Sequence, residues 1–369
     1  MPMQVFLDCE YCKDGIRRTK SKKRISITGC GSYSLLFQAE SDSVVECCNQ
    51  HNRCYDFSLL NSSFIMNASL DSERKYWTDD ARYLTCVFGF CVSILGVFLN
   101  ILSFQTAKFL GKNNSSVTFI RLLAVWDSVA VIQDGMFNLG GKVFHFDVTK
   151  FHVITCKGNY IHSWGSSYTA NFHLVALVFD RFLAIKFPIW YRSASKPKYA
   201  YFASFFILVG SYFIASPAVT FFNIRSGTCI VVADPVFFFW YLRFLVFFIF
   251  SSLPFCLILF FNGYFIAYLR NHKKANQNSE RDVQDRRMVV MLATVSVSFL
   301  VFTLTTGLNL LWNYQYTPTT PYENSVARLT KVSHEIPIIF NASLNFVFFF
   351  LSGKGYRDAF RKLIKSYTA

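Results

Sequence analysis

From residue 81 onward the chain alternates long apolar runs with short polar loops, whereas the first 80 residues are polar. Each apolar run approaches or exceeds the roughly 20 residues that a helix needs to cross a bilayer. The runs lie at about 81–105, 116–139, 153–182, 198–222, 236–268, 287–312 and 328–352. The pattern predicts an all-α membrane protein whose residues 81–352 form a bundle of seven transmembrane helices.

Two shorter segments flank the predicted bundle. Residues 1–80 are polar and bear cysteines, and we expect them to form a largely disordered tail; a start at Met66 would leave a shorter one. After the last crossing, Tyr356, Phe360 and Leu363 recur at helical spacing among basic residues. This spacing predicts that residues 353–369 form an amphipathic helix on the membrane surface and a short tail.

Composition and charge fit a membrane protein better than a soluble one. The chain is 53% hydrophobic and only 16% charged, and its net charge of +15 is scattered between apolar blocks. Scattered basic residues argue against nucleic-acid binding. Most loop lysines and arginines lie on the side of the C-terminus, which the positive-inside rule places in the cytosol. We therefore predict a multi-pass plasma-membrane protein with its N-terminus outside, where Asn61 and Asn67 are glycosylation acceptors.

Several classes of protein lack support in the sequence. No motif brings together a nucleophile, a base and an orienting group, and neither HExxH nor a phosphate-binding glycine loop occurs, so an enzyme is not expected. The cysteine spacings do not match a zinc ribbon, and we expect no bound metal or organic cofactor. A channel or secondary transporter stays open as an alternative, although the paired half-repeats typical of transporters are absent from the sequence.

Ionisable groups inside a membrane are costly and therefore point to function. Asp127 lies mid-way along the second predicted helix, with Asn100 in the first and Asn341 and Asn345 in the seventh. Together these residues could form a hydrated polar cluster that holds a sodium ion at Asp127 and rearranges between two packings. The alternative is a set of hydrogen bonds that only holds the helices together.

The third predicted helix carries a cysteine near one end and an arginine near the other. Cys156 and Arg181 are 25 residues apart, which corresponds to about 38 Å along a helix. Cys156 is therefore expected at the outer, oxidising surface, on the same side as Cys229 in the loop between helices four and five. We predict a disulfide between Cys156 and Cys229 that holds this loop over the mouth of the bundle.

At the inner end, Arg181 can form ion pairs with two acidic residues. Asp180 precedes it directly, and Asp285 precedes the sixth predicted helix. Breaking such a pair would let the sixth helix swing outward, which is the two-state behaviour that a signalling switch needs. The alternative is an arginine that extends to the lipid head groups.

The order and spacing of these motifs along the chain resemble those of the rhodopsin-like family of G-protein-coupled receptors over about residues 81–363. The matching positions are Gly96 to Asn100, Asp127, Cys156, Asp180-Arg181-Phe182, Cys229, Pro254 and Asn341 to Phe346. Within that family, the chain looks most like invertebrate peptide receptors related to FMRFamide receptors. This resemblance rests on Asn262, on the Asn345-Phe346 form of the seventh-helix motif and on Gly353-Lys354. The resemblance implies that Asp180, Arg181, Asp285 and Asn345 act in a switch that activates a cytosolic heterotrimeric G protein.

The sequence also departs from the family pattern. Ile207 replaces the usual fourth-helix tryptophan, Thr303 and Thr305 stand where the sixth helix usually has tryptophan and proline, Phe349 replaces a seventh-helix tyrosine, and Ala170 removes a hydroxyl from the family's sodium site. These changes keep open a divergent orphan or chemosensory receptor with weak or no G-protein coupling.

At two positions the resemblance implies which classes of ligand are not expected. Ser163 replaces the aspartate of amine receptors, and Ile339 replaces the retinal-binding lysine of opsins. The charged and polar residues left in the outer half are Asp134, Arg243, Arg328, Lys331, His334 and Glu335. We predict that they bind a short extracellular peptide, with Glu335 or Asp134 pairing to a ligand arginine and Arg243 to an acceptor.

Overall fold

A computed structural model describes residues 47–48, 54–55, 58–110, 114–241, 248–272, 294–309, 312 and 318–368. The chain divides into two compact units, Met1–Tyr76 and Trp77–Ala369. In the first unit, strands β1 (Cys47–Cys48) and β2 (Cys54–Tyr55) pair antiparallel. The second unit holds the predicted bundle, including the first helix from Trp77 onward, and is the unit described below.

Helices occupy all seven segments that the sequence predicts to cross the membrane. The bundle comprises α1 (Ser58–Ala107), α2 (Ser115–Val131), a π-helix (Ile132–Leu139), α3 (Gly140–Val143), α4 (Val153–Lys186), α5 (Pro188–Ala194), α6 (Pro197–Ala215), α7 (Ala218–Phe221), α8 (Pro235–Tyr241), α9 (Leu253–His272), α10 (Thr294–Asn309), α11 (Pro321–Ser333), α12 (Glu335–Ser343), α13 (Asn345–Ser352) and α14 (Lys354–Thr368). A 3-10 turn (Val148–Lys150) precedes α4, and a hairpin of β3 (Phe222–Arg225) and β4 (Thr228–Val231) follows α7.

Within the part of the chain that the structure describes, four helical stretches are long and apolar enough to cross a membrane by length and composition: Glu73–Ala107, Ser115–Val143, Pro197–Phe221 and Phe248–Tyr268. A fifth span results if Pro321–Ser343 and Asn345–Leu351, which meet at a 40° bend, count as one. The remaining predicted crossings correspond to α4, a 34-residue helix with charged residues, and to the shorter apolar helix α10. The predicted fold class, an all-α membrane bundle, is confirmed.

Two helix boundaries differ from the predicted ones for reasons visible in the sequence. Helix α1 begins at Ser58 rather than near residue 81, because residues 58–80 contain no proline or glycine to end it. The seventh crossing begins at Pro321 rather than near residue 328. There Thr320 and Glu323 form a capping box, and proline at the first helical position favours a helix start.

Helix α4 lies at the centre of the bundle and packs against α2, α6 and α9. The largest fully buried side chains, which fill the interior, include Leu123, Leu177, Ile258, Phe265 and Phe299. Helix α6 instead exposes most of its aromatic side chains, with Phe202 65% and Phe213 77% exposed. Such an apolar outer surface suits contact with lipid, where helices associate through packing and hydrogen bonds rather than through the hydrophobic effect.

A buried histidine joins α4 to α6 near the site of the missing tryptophan. His173 is fully buried; its Nδ1 lies 2.7 Å from the Thr169 carbonyl and its Nε2 lies 2.7 Å from Ser204 Oγ on α6. The ring of Trp126 on α2 packs beside it, at 6.3 Å between ring centres. A hydrogen-bonded imidazole thus links α2, α4 and α6 where Ile207 offers only apolar surface.

Helix α14 packs one face against the ends of the bundle. Its residues Tyr356, Ala359 and Leu363 are buried, and Phe360 packs edge-on against Phe346 at 5.7 Å between ring centres. The hydroxyl of Tyr356 donates to Ser103 Oγ at 2.8 Å. Burial raises the pKa of Tyr356, so the phenol keeps the proton that this hydrogen bond needs.

Candidate functional site

A cavity of about 800 Å³ opens among the π-helix, α4, α11 and α12, beside the β3–β4 hairpin. This end of the bundle carries a disulfide between Cys156 and Cys229, and we call it the disulfide end. We call the other end, where α4 carries Asp180, the Asp180 end. Polar, charged and aromatic side chains line the cavity, among them Asp134, Ser163, Trp164, Lys331 and Glu335. Its volume falls in the range of ordinary ligand pockets.

The π-helix at the outer half of the second crossing directs Asp134 toward α4. Asp134 is only 2% exposed and accepts hydrogen bonds from Ser163 Oγ at 2.5 Å, Ser167 Oγ at 3.2 Å and Asn138 Nδ2 at 3.3 Å. A π-helix turn holds more residues than an α-helix turn, and this changes which side chains face a neighbouring helix. The local widening therefore places a carboxylate at the cavity wall among hydroxyl donors.

The opposite wall presents Glu335, the first residue of α12. Its Oε1 forms an ion pair with Lys142 Nζ at 3.0 Å. Its Oε2 is buried and has no hydrogen-bond partner within the described residues. An unsatisfied buried carboxylate oxygen is costly, so Glu335 is ready to accept a further donor.

The structure brings five of the six residues predicted to bind the ligand to this one cavity. These are Asp134, Arg328, Lys331, His334 and Glu335. Arg243 lies outside the described residues. The sequence interpretation missed Lys142 as the partner of Glu335, because the two residues are 193 positions apart in the chain.

A disulfide holds the hairpin at the cavity mouth. Cys156 at the start of α4 is bonded to Cys229 on β4, with 5.7 Å between their Cα atoms. Gly227, at φ 72°, closes the turn between β3 and β4 in a conformation that favours glycine. Phe222 on β3 stacks on Tyr160 of α4 at 3.6 Å between ring centres. Cys229 itself lines the cavity, so the disulfide fixes part of the cavity wall.

Half-way along the bundle, the predicted polar cluster is assembled only in part. Asn345 Nδ2 donates to Asp127 Oδ2 at 2.7 Å, and Asn100 Nδ2 donates to the Ala342 carbonyl at 2.9 Å. Asn341 instead faces Asn171 of α4, at 3.5 Å. Asn100 Oδ1 is buried without a partner among the described residues. A carboxylate and a free amide oxygen are the hard donors that a cation such as sodium takes, and the sodium site stays a prediction.

At the Asp180 end, the carboxylate of Asp180 is held by hydroxyl groups. Ser115 Oγ donates to it at 2.6 Å, the Tyr191 hydroxyl on α5 at 2.7 Å, and Ser116 Oγ also donates to it. These bonds join the start of α2, the end of α4 and α5. Asp180 is 7% exposed, and charged hydrogen bonds of this kind are strong.

The expected ion pair between Asp180 and Arg181 is not formed in the described part of the chain, and this prediction is corrected. Both carboxylate oxygens already accept hydroxyl protons, and neighbouring residues on an α-helix point in different directions. Arg181 Nε is buried without a hydrogen-bond partner in the described region. Asp285, the other predicted partner, lies outside the described residues, as do the glycosylation acceptors' side chains at Asn61 and Asn67.

Residues 101–345, about two thirds of the chain, match the family of 7 transmembrane receptors of the rhodopsin type. The chain belongs to the rhodopsin family of seven-transmembrane receptors. The receptor is therefore a multi-pass membrane protein of a signalling family. No curated protein matches the chain, so the resemblance to invertebrate peptide receptors stays a prediction. The matched region holds the disulfide, most of the cavity lining and the Asp180 network.

Proposed function

We propose that the receptor binds a short peptide in the cavity at its disulfide end, outside the cell, and activates a heterotrimeric G protein at its Asp180 end. The observation that carries this proposal is the cavity of about 800 Å³ held open beside a disulfide-anchored hairpin. A pre-formed cavity with a few convergent polar groups is the usual form of a ligand site. Under this proposal the receptor resides in the plasma membrane with its C-terminus in the cytosol.

The two carboxylates of the cavity are not equally available to a ligand. Asp134 already accepts three hydrogen bonds from Ser163, Ser167 and Asn138. Glu335 keeps one buried oxygen without a partner in the described residues. We therefore assign the donor-binding role, which the sequence leaves shared between Asp134 and Glu335, to Glu335. A ligand amine, amide or guanidinium would satisfy its Oε2.

The Asp180 end offers an apolar surface for a cytosolic partner. On α5, Ile189 is 88% exposed and Trp190 is 56% exposed, next to the Tyr191 that bonds to Asp180. Exposed apolar side chains next to a polar network are typical of interaction surfaces. Binding of a G protein there would act directly on the hydrogen bonds that join α2, α4 and α5, and Arg181 would contribute to the same surface.

The test is guanine-nucleotide exchange on a panel of G proteins by the full-length receptor, screened with a library of short synthetic peptides. An active peptide should lose at least tenfold in potency with Glu335→Gln, because a charged hydrogen bond contributes about 1.5–3 kcal/mol. Glu73→Gln, an exposed glutamate outside the cavity lining, is the matched control. Silence of all peptides on all G proteins, with surface expression shown, would contradict the proposal.

A second candidate is a divergent receptor of this family that couples weakly or not at all to G proteins. Helix α10 contains no proline, and Thr303 on it is buried and bonds to the carbonyl of Phe299. A helix without a proline kink has one hinge fewer for an outward swing. Ligand binding without nucleotide exchange would favour this candidate, and ion flux in liposomes without a G protein would favour a channel.

A further inference from the structure

We propose that the ligand presents an acidic group to the cavity, held by Arg82, Arg328 and Lys331. The inference rests on the proposed function of the cavity as the ligand site and adds the chemical class of the ligand. The expectation drawn from the sequence paired a ligand arginine with Glu335 or Asp134 and a ligand acceptor with Arg243, which lies outside the described residues. Both contacts can exist in one ligand, since Glu335 and these three cations lie in the same cavity.

Cations outnumber carboxylates in the cavity wall. The described lining residues include five lysines or arginines and three carboxylates: Arg82, Lys142, Lys150, Arg328, Lys331, Asp134, Asp147 and Glu335. A ligand that enters the cavity therefore meets two excess positive charges. Walls of one sign concentrate ligands of the opposite sign in a cleft.

Among the described residues, two of the five cations form ion pairs. Lys142 pairs with Glu335 at 3.0 Å, and Lys150 pairs with Asp147 at 3.6 Å. Asp134, the third carboxylate, is buried behind its own hydroxyl and amide donors. Hence no carboxylate in the described part of the cavity wall forms an ion pair with the other three cations, although Glu335 attracts Lys331 electrostatically.

The three remaining cations come from two helices that face one cavity. Arg82 lies on α1, whereas Arg328 and Lys331 lie three residues apart on α11. Arg328 donates through Nη2 to the neutral Ser325 Oγ at 3.2 Å, and none of the three forms an ion pair among the described residues. A ligand carboxylate would give these cations a counter-charge, and an arginine can bind it through two parallel hydrogen bonds.

The charge of the cavity can be measured without knowing the ligand. Ala327, which lines the cavity beside Arg328, is replaced in the full-length receptor by Ala327→Cys. The rates of its modification by an anionic and a cationic methanethiosulfonate are then measured by mass spectrometry of the peptide that contains residue 327. Each rate is divided by the rate of the same reagent with a neutral thiol in solution.

We expect the anionic reagent to be favoured about tenfold, from two excess unit charges acting through screened water. Arg82→Gln and Lys331→Gln should each reduce this preference about threefold. Lys198→Gln, at the Asp180 end of the bundle, is the matched control and should leave it unchanged. Equal rates, or a preference for the cationic reagent, would overturn the inference.

The source of the acidic group is tested with peptide triplets in the nucleotide-exchange assay. Each peptide is made with a free C-terminal carboxylate, as the C-terminal amide, and as the amide with one added aspartate. Activity of either acidic form alone supports the inference and shows whether the group is terminal or on a side chain, whereas activity of the neutral amide alone overturns it. Inactivity of all three forms counts against the proposed peptide function, and the thiol rates then decide the charge of the cavity by themselves.

Discussion

The close contact between the first two crossings at Gly135 makes a quantitative stability prediction. A Cβ atom at Gly135 would lie 1.6 Å from Ser93 Oγ and 2.4 Å from Ser93 Cβ. Carbon atoms pack at about 3.5–4.0 Å, so Gly135→Ala must separate α1 from the π-helix by about 1 Å. Rotation of the Ser93 hydroxyl cannot prevent the clash, because Ser93 Cβ is fixed to the backbone.

We expect Gly135→Ala to destabilise the receptor by about 2 kcal/mol, because contacts this short place the overpacking cost at the upper end of about 1–3 kcal/mol, less a gain of about 0.5–1 kcal/mol from removing a helical glycine. That loss corresponds to an apparent Tm about 4–8 °C lower, measured by thermal unfolding in detergent. Gly210→Ala is the control, because nothing lies within 4 Å of its new Cβ, and it should leave Tm unchanged or raise it.

A second substitution tests whether the clash is the cause. Ser93→Gly removes both clashing atoms, and the nearest remaining neighbour of the Cβ added by Gly135→Ala would be Ile339 Cδ1 at 3.4 Å, an ordinary contact. The double variant should therefore recover most of the lost Tm. If Gly135→Ala were as stable as Gly210→Ala, or if Ser93→Gly failed to restore Tm, the described packing of α1 against the π-helix would be refuted.

Three further predictions follow from the other contacts. Tyr191→Phe removes one donor from Asp180, and the loss of about 1.5–3 kcal/mol should raise basal nucleotide exchange several-fold; an unchanged basal rate would show that this bond does not restrain activation. Serine at both Cys156 and Cys229 opens a disulfide that spans 73 residues of sequence, for which chain entropy predicts about 4 kcal/mol; surface expression should fall sharply, and normal expression would contradict this. His173→Phe leaves buried partners unsatisfied and should lower Tm by several degrees, whereas His173→Gln should lower it less.

The fold could be predicted well from the sequence because hydropathy reports directly on burial in lipid. Apolar runs of adequate length locate the crossings, and even the early start of the seventh crossing is visible in the capping box of Thr320 and Glu323. Hydropathy does not, however, distinguish a helix that starts at Ser58 from one that starts near residue 81. Boundaries therefore depend on local helix signals more than on composition.

The site was harder to predict, because contacts between helices depend on their rotation. Asp134 accepts a hydrogen bond from Ser163 where the second crossing continues as a π-helix, and no simple sequence pattern indicates a π-helix. Asp180 takes its donor Ser115 from 65 residues away, whereas the sequence interpretation assigned it the adjacent Arg181. The sequence interpretation gave too much weight to an ion pair between adjacent residues, and it missed the hydroxyl donors to Asp180 that come from other helices.

The orientation of the bundle in the membrane decides whether the cavity meets extracellular ligands and the Asp180 network meets the G protein. Its most direct test is a full-length receptor with one epitope before Met1 and a different epitope after Ala369, stained in intact and in permeabilised cells. The N-terminal epitope should stain on intact cells and the C-terminal epitope only after permeabilisation. C-terminal staining on intact cells, or both epitopes on one side, would contradict the account.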